Sequence, residues 1–284
     1  MKIQWFPGHM RKTLVDIEKN LKFANVIIYC LDARIPISSL NPEINEIVKN
    51  KPIIYLLNKA DLANEIETKK FAEKFKAEGK TVLITNANSQ TCKQSITKAL
   101  NSAFSYKQEQ FSKKGVNGML RAMVIGVPNT GKSTIINVLS GAKKAVTGDK
   151  AGVTRNISWI KVDSNIEIMD TPGTLWPKFE NFEIGRNLAI VGSIKNEVLD
   201  ESELGFECLK LLIEIAPNQL INRYNLQFKT DEMKNIEPIE IYDKICINRG
   251  WILRKNEIDY ERAGKGILDD FRSGKLGKIT LDKI

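Results

Sequence analysis

Residues 121–140 read "RAMVIGVPNTGKSTIINVLS": a short apolar run, a loop matching GxxxxGK[ST], then an apolar stretch with helical spacing. This stretch confines the chain to few folds, because such a loop works only where a buried strand passes directly into a helix. Gly126 and Gly131 let the backbone curl, so that successive N–H groups and the helix N-terminus surround a phosphate. Lys132 would reach the β- and γ-phosphates and Ser133 would hold Mg²⁺. The alternative is a chance glycine-rich turn.

Three earlier segments repeat one form: "NVIIYCLDAR" from Asn25, "PIIYLLNKAD" (52–61) and "TVLITNA" (81–87). Each is an apolar run ending in polar residues, the pattern of a buried parallel strand with function at its carboxyl end. "NIEIMD" (165–170) is another strand. Between the strands lie 42–50 and 64–79, the latter with Ile66, Phe71 and Phe75 at helical spacing and Gly79 as a stop. The polar, lysine-bearing stretch 105–118 reads as a linker. From 182 the apolar positions take helical spacing, and in "DYERAGKGILDDFRSGKLG" (259–277) Tyr260, Ala263, Ile267 and Phe271 share a face. The expected fold is an α/β P-loop domain over residues 1–178 with a mainly parallel sheet, followed by a small all-α domain over 179–284.

With 284 residues, 42% of them hydrophobic and 27% charged, the chain has material for one sizeable core and a smaller second one. It holds no run near the roughly 18 apolar residues of a membrane span and no apolar leader, so a cytoplasmic protein with no membrane partner is expected. Cys30, Cys92, Cys208 and Cys246 are scattered without a CxxC pair, which argues against a zinc site or a disulfide framework and for buried thiols. The net charge of +9 is unevenly spread. Residues 1–179 hold 27 Lys+Arg against 15 Asp+Glu, 180–284 hold 16 against 19, and 244–284 return to 10 against 6. Basic faces attract phosphate backbones, although lysines also serve solubility.

Which nucleotide is read at "NKAD" (58–61). Guanine offers N1–H and an exocyclic amine, and a carboxylate accepts both, whereas adenine offers neither at those positions. Asp61 would be that carboxylate, left unpaired in a buried place by an adenine; Asn58 would contact the opposite edge and the Lys59 stem would lie along the ring. "TNA" fits a companion loop, with backbone near Asn86 and Ala87 on the base oxygen. "DTPG" (170–173) adds Asp170, which would hold Mg²⁺ through water, and the Gly173 N–H, which would sense the γ-phosphate. "GVTRN" (152–156) lies between the two loops and offers Thr154 to complete the magnesium shell, with Thr147 as the competing choice. Thr130 and Thr134 complete the expected GTP-binding set.

The base-reading motif thus precedes the phosphate loop. In this the chain resembles the circularly permuted GTPases, and among them the bacterial ribosome biogenesis GTPase A (YlqF-related) family. The motifs "WFPGHM" (5–10), "DARIP" (32–36), "NKAD", "GVPNTGKST", "GVTR", "DTPG" followed by "LWP" (175–177), and "DFRSGKLG" (270–277) carry the resemblance over almost all of the chain. It implies a complete GTPase sheet whose original ends are joined and whose new ends open elsewhere. It also implies a slow GTPase acting in late assembly of the large ribosomal subunit, with a large-subunit precursor, ribosomal RNA and ribosomal proteins as partners. A monomer is expected.

Thr174 stands after DTPG, where many small GTPases place a water-orienting glutamine, so unassisted turnover should be on the order of 10⁻⁴ s⁻¹. The resemblance implies that the loop of His9 can swing toward the γ-phosphate; His9 also sits at a helix N-terminus, whose dipole favours the neutral imidazole. The other reading is a structural or RNA-contacting histidine. Asn129 resembles the P-loop asparagine of potassium-dependent GTPases, which implies K⁺ between α- and γ-phosphates; simple loop hydrogen bonding is the alternative. Asp32 and Arg34 read either as strand-end structural groups or as effector surface, and Trp5 and Phe6 as packing residues, with base stacking as the alternative. Lys143, Lys144, Lys150 and Arg155 near the switch, with Arg262, Lys265, Arg272, Lys275 and Lys278 on or beyond the last helix, are candidate phosphate contacts for RNA.

Overall fold

A computed structural model describes residues 8–115, 118–141, 158–179 and 181–284. Among these residues six strands form one sheet in the order β3-β2-β1-β4-β6-β5. They are β1 (Val26–Asp32), β2 (Ile53–Asn58), β3 (Thr81–Ile84), β4 (Leu120–Ile125), β5 (Ser158–Lys161) and β6 (Ile166–Asp170). All neighbours pair in parallel except the edge strand β5, which runs antiparallel to β6.

Side-chain alternation along the strands supplies two faces. Ile27, Tyr29, Leu31, Tyr55 and Leu57 point to one, where they meet α1 (Gly8–Leu21), α2 (Pro42–Val48) and α3 (Glu65–Ala77) through Leu14, Ile17, Ile44, Val48, Phe71 and Phe75. Val26, Ile28, Cys30, Ile54 and Leu56 point to the other, against α4 (Cys92–Lys113) and α5 (Lys132–Ser140). Burial on both faces explains why the strands read as unbroken apolar runs.

The chain walks outward from β1 to β2 to β3, then α4 carries it back to the centre, where β4 starts beside β1. The strand order therefore reverses between β1 and β4, the position at which an open α/β sheet leaves a crevice beyond its strand ends. At 22 residues α4 spans ~33 Å, enough to recross the sheet. Residues 105–113, expected to be linker, are the last turns of this helix. Its buried stripe is Ile96, Leu100 and Phe104, and the lysine-rich remainder is largely its solvent face, which composition alone does not separate from a loop.

Two periodicities shift in detail. In α3 the buried face is Thr68, Phe71, Ala72 and Phe75, while Ile66 is 66% exposed because it lies in the first turn, off that stripe. In α11 (Tyr260–Arg272) Ala263, Ile267 and Phe271 are buried, but Tyr260 is partly exposed and its hydroxyl donates to Asp243. The other helices of this region are α6 (Phe182–Ile190), α7 (Glu201–Ile215), α8 (Pro217–Tyr224), α9 (Thr230–Met233) and α10 (Pro238–Arg249). Helices α7 and α11 cross at a glycine pair, where a Cβ on Gly205 would lie 2.2 Å from the Gly264 Cα. The helical core is continuous with the sheet unit, for Met10, Ile35, Val127, Leu175 and Trp176 belong to it. All four cysteines are free and buried.

Candidate functional site

The carboxyl ends of the five parallel strands deliver the motif loops to one crevice: "DARIP" after β1, "NKAD" after β2, "TNA" after β3, the phosphate loop after β4 and "DTPG" at the end of β6. Register sets their depth. Asp32 lies opposite Asn58, and Asp170 opposite Val124, two residues before the loop begins.

In the phosphate loop Gly126 (φ 146°) allows a close approach to β1, since a Cβ there would lie 2.3 Å from the Cys30 carbonyl oxygen. Gly131 (φ 90°) caps α5 with a left-handed residue and faces the Asn58 amide, 2.4 Å from where a Cβ would be. The loop folds on itself through Thr130 Oγ1 donating to the Val127 carbonyl at 3.1 Å and Lys132 Nζ donating to the same oxygen at 2.8 Å. Thr134 is half-buried on the first turn of α5.

Asn58 is the joint between the two displaced motifs. Its Nδ2 donates to the Thr130 carbonyl at 2.8 Å, and its Oδ1 accepts from the Ala87 N–H at 3.2 Å and the Thr85 hydroxyl at 3.4 Å. The side chain is 1% exposed. Asn58 thus braces three loops, and the second N–H of its Nδ2 is not used by the bond to Thr130. Lys59 adopts a left-handed backbone (φ 59°), and its Nζ donates to the Asn129 carbonyl and lies 3.3 Å from Asp32 Oδ2. Asp61, in the loop that follows β2, is exposed. The Asn86 side chain turns its own loop by accepting from the Asn88 N–H at 2.8 Å.

For a metal, the observation that matters is at Asp170. The residue is 3% exposed and its Oδ1 has no hydrogen-bond partner, while Oδ2 accepts from the Ser133 hydroxyl at 3.4 Å. Burial pushes its carboxyl above the ordinary range, against the opposing charge of Lys132. An unpartnered buried carboxylate oxygen beside a hydroxyl fits a hard divalent cation such as Mg²⁺, which takes few protein oxygens and completes its shell with phosphate and water. Among the described residues no group of three His, Cys, Asp or Glu could hold a metal, which such a phosphate-completed site does not need. Thr154 and its competitor Thr147, with Lys143, Lys144, Lys150 and Arg155, lie outside the described residues, as do Trp5, Phe6 and the His9 side chain; the His9 backbone is in the first turn of α1.

Gly173 is pressed onto the phosphate loop, since a Cβ there would lie 2.5 Å from the Pro128 Cα and 2.8 Å from Lys132 Nζ. Thr174 faces inward: it is 0% exposed, its N–H donates to the Gly126 carbonyl at 3.3 Å and its carbonyl accepts from Asn41 Nδ2 at 3.1 Å. Its hydroxyl is buried without a hydrogen-bond partner. The next residue, Leu175, donates its N–H to the sulfur of Met10 at 3.5 Å, joining the "DTPG" loop to the helix that carries His9.

Of the two readings for "DARIP", the structure selects the internal one. Arg34 and Asp32 are 2% and 1% exposed and form a two-armed ion pair, Nε to Oδ1 at 2.9 Å and Nη2 to Oδ2 at 2.7 Å. Arg272, expected on an RNA-facing surface, is mostly buried instead: its guanidinium donates to the Ile190 and Ala189 carbonyls at 2.8 and 2.9 Å, at the end of α6. Arg262, Lys265, Lys275 and Lys278 are exposed. Sequence reading missed Gly192 and Ser193. The Gly192 carbonyl accepts from Asn129 Nδ2 at 3.3 Å and the Ser193 hydroxyl donates to the Pro128 carbonyl at 2.8 Å, so the helical region holds the phosphate loop directly. No local motif marks them, because their partners lie more than 60 residues away in the chain.

Burial pushes the Lys132 ammonium down to about 8, with Cys30 and Asp170 opposing and Lys59 adding to the shift. A triphosphate beside it favours the charged form, so binding takes up a proton wherever the free lysine has lost one. Nucleotide affinity is therefore expected to be flat below pH 8 and to fall about tenfold per unit above it. Fluorescence titrations from pH 7 to 10 check this, and a flat profile throughout would contradict it.

The crevice can be compared with known proteins. A family model described as "50S ribosome-binding GTPase" matches residues 121–239, beginning at the phosphate-loop strand and leaving "NKAD" outside. The chain is 39% identical over 283 residues to "Ribosome biogenesis GTPase A" of Bacillus cereus, covering 99% of this chain and 94% of that protein. It is 31% identical over 299 residues to "Mitochondrial ribosome-associated GTPase 1" of Mus musculus, covering 99% and 90%. Among solved structures it is similar to the GNP-bound YlqF from T. maritima, with a TM-score of 0.64 and 26% identity over 96% of this chain and 98% of that one.

Proposed function

The chain belongs to the ribosome biogenesis GTPase A family, hence is a circularly permuted GTPase with a role in ribosome biogenesis, and from that premise we propose a finer reading. It is a switch for late assembly of the large ribosomal subunit, GTP setting its affinity and hydrolysis, stimulated by the particle, releasing it. Residues 1–178 form the GTPase unit and 179–284 a unit that meets ribosomal RNA and ribosomal proteins; the protein acts as a cytoplasmic monomer. Among the described residues no helix is long and apolar enough to cross a membrane.

The observation that carries this reading is the direct hold of the helical region on the phosphate loop, Gly192 on Asn129 and Ser193 on Pro128. Contacts that order the "DTPG" loop around a γ-phosphate would be passed to the helices through Leu175 and Trp176, which sit in their core. In this reading Gly126, Thr130, Gly131, Lys132, Ser133 and Thr134 cradle the phosphates. Ser133, Thr154 and Asp170 would hold Mg²⁺, the last through water, and Gly173 would sense the γ-phosphate. Asp61, with the Lys59 stem and the backbone of Asn86 and Ala87, reads guanine, while Asn58 holds their loops together. Mg²⁺ bound there would supply positive charge against the phosphates, and K⁺ held by Asn129 would add to it. His9 orients the attacking water, since the short hydroxyl of Thr174 is a poor substitute for a glutamine there.

The test is GTP turnover by the purified protein in potassium and in sodium buffer, with and without large ribosomal subunits. Stimulation of 10-fold or more that is lost in sodium and in His9→Ala is expected, in line with roughly 10²- to 10⁴-fold contributions from positioned acid–base groups. Slow turnover that subunits leave unchanged would favour a GTP-locked RNA-binding or chaperone module instead.

A further inference from the structure

We propose that the segment following α11, residues 279–282, is a positioning strap for the guanine-reading loop, making base selectivity depend on how the helical region is docked. The inference rests on Asp61 reading the base, as above.

The strap is hydrogen-bonded at every residue. The Ile279 N–H donates to the carbonyl of Leu62, the residue after Asp61, at 3.1 Å. The Thr280 hydroxyl accepts from the Asn64 N–H at 3.1 Å, and Asn64 in turn caps α3. The Leu281 N–H donates to the Arg34 carbonyl at 2.8 Å. Asp282 accepts four bonds: from the Ile37 and Ser38 N–H groups at 2.7 and 2.8 Å, from the Ser38 hydroxyl at 2.5 Å, and from Asn187 Nδ2 of α6 at 3.0 Å. Ile279 and Leu281 are 4% and 3% exposed, so the segment is packed and not merely laid on the surface.

These contacts have one geometric result. Residues 62–64, immediately after Asp61, have their backbone tied to the strap at two points, and the strap is tied by Asp282 both to the "DARIP" turn and to α6, the helix leading to Gly192. Asp61 is itself exposed, so its direction is set by the backbone on either side of it. On one side that backbone is fixed by Asn58 and Lys59, and on the other by the strap. Base selectivity is sensitive to such placement, because a charged hydrogen bond weakens steeply as its angle and distance degrade.

The test compares GDP with inosine diphosphate, which lacks only the exocyclic amine that Asp61 would accept. The wild type should prefer GDP by about 10- to 100-fold, the size of one hydrogen bond to a carboxylate. Thr280→Val and Asp282→Ala are expected to shrink that preference at least threefold, while Thr280→Ser, which keeps the hydroxyl, retains it. A strap that only stabilises the fold would weaken both nucleotides equally. An unchanged GDP-to-IDP ratio in folded Thr280→Val and Asp282→Ala would therefore overturn the strap and leave the guanine assignment standing. A wild type that binds the two alike would overturn the assignment and the strap with it. Should Asp282→Ala fail to fold, Thr280→Val, which removes one acceptor at a half-buried site, decides alone.

Discussion

Replacing Asp61 by asparagine is expected to weaken GTP binding by about 10²- to 10⁴-fold and to create an affinity for xanthosine triphosphate, since two charge-assisted hydrogen bonds are at stake. The Asp61 carboxylate offers acceptors to both guanine donors. An asparagine offers one acceptor for N1–H and turns an N–H₂ toward the guanine amine, donor against donor. Xanthine has a carbonyl oxygen in place of that amine and keeps N1–H, so the same asparagine is complementary to it. The exposed position of Asp61 lets the exchange be made without disturbing the core. Equilibrium titration of the variant with both nucleotides checks the result, and binding of the xanthine nucleotide shows at once that the phosphate loop is intact. A variant that still prefers GTP would remove Asp61 as the base reader.

Replacing Arg34 by methionine should destabilise the protein by about 3–5 kcal/mol, the range for removing one partner of a buried ion pair. The cause is the group left behind. Asp32 is 1% exposed, and despite burial, which works against its charge, Arg34 and Lys59 hold its carboxyl well below the usual carboxylate range. Without Arg34 the carboxylate has Lys59 as its remaining cation, and Lys59 also serves the Asn129 carbonyl. The double change Asp32→Asn with Arg34→Met should recover much of the loss, because the uncompensated charge is gone. The pH dependence follows from the sign of the shift: a depressed carboxyl contributes stability that is present above its unfolded value near 4 and is lost as pH falls toward the folded one. Wild type should lose this contribution on acidification below about pH 4, and the double variant has none to lose. Denaturant unfolding at pH 7 and at lower pH measures both, and an Arg34→Met protein as stable as wild type would contradict the pairing.

Arg34 also shows where sequence reading ends. The letters of "DARIP" are compatible with a surface motif and with an internal brace, and only the position of Phe271 and Arg272 against it makes it a brace: the Arg34 guanidinium lies 5.3 Å from the Phe271 ring. The letter of Asn58 likewise does not show that its amide ties the phosphate loop to the loop after β3 through Thr130 and Ala87. Residues 105–113 failed in the opposite direction, where a polar composition masked the last turns of a helix whose few apolar residues sit four apart.

What the sequence determined by itself was the set of parallel strands, the loops at their carboxyl ends and the nucleotide chemistry those loops carry. These are local properties: a buried parallel strand must be apolar on both faces, and a phosphate loop needs its glycines, lysine and hydroxyl within eight residues. The tertiary structure alone decided that "NKAD" and the phosphate loop meet despite their inverted order, because β1 and β4 pair at the centre of the sheet and Asn58 bridges the crevice they leave. It alone decided, too, that Gly192 and Ser193 bond the phosphate loop and that residues 279–282 bond the segments after Asp61 and Asp32. Several of their parts in it are backbone carbonyls and N–H groups, which nearly every residue possesses, and the rest are the hydroxyls of Ser193 and Thr280 and the carboxylate of Asp282, common polar groups that carry no signal until the fold brings them within hydrogen-bond distance of partners far away in the chain.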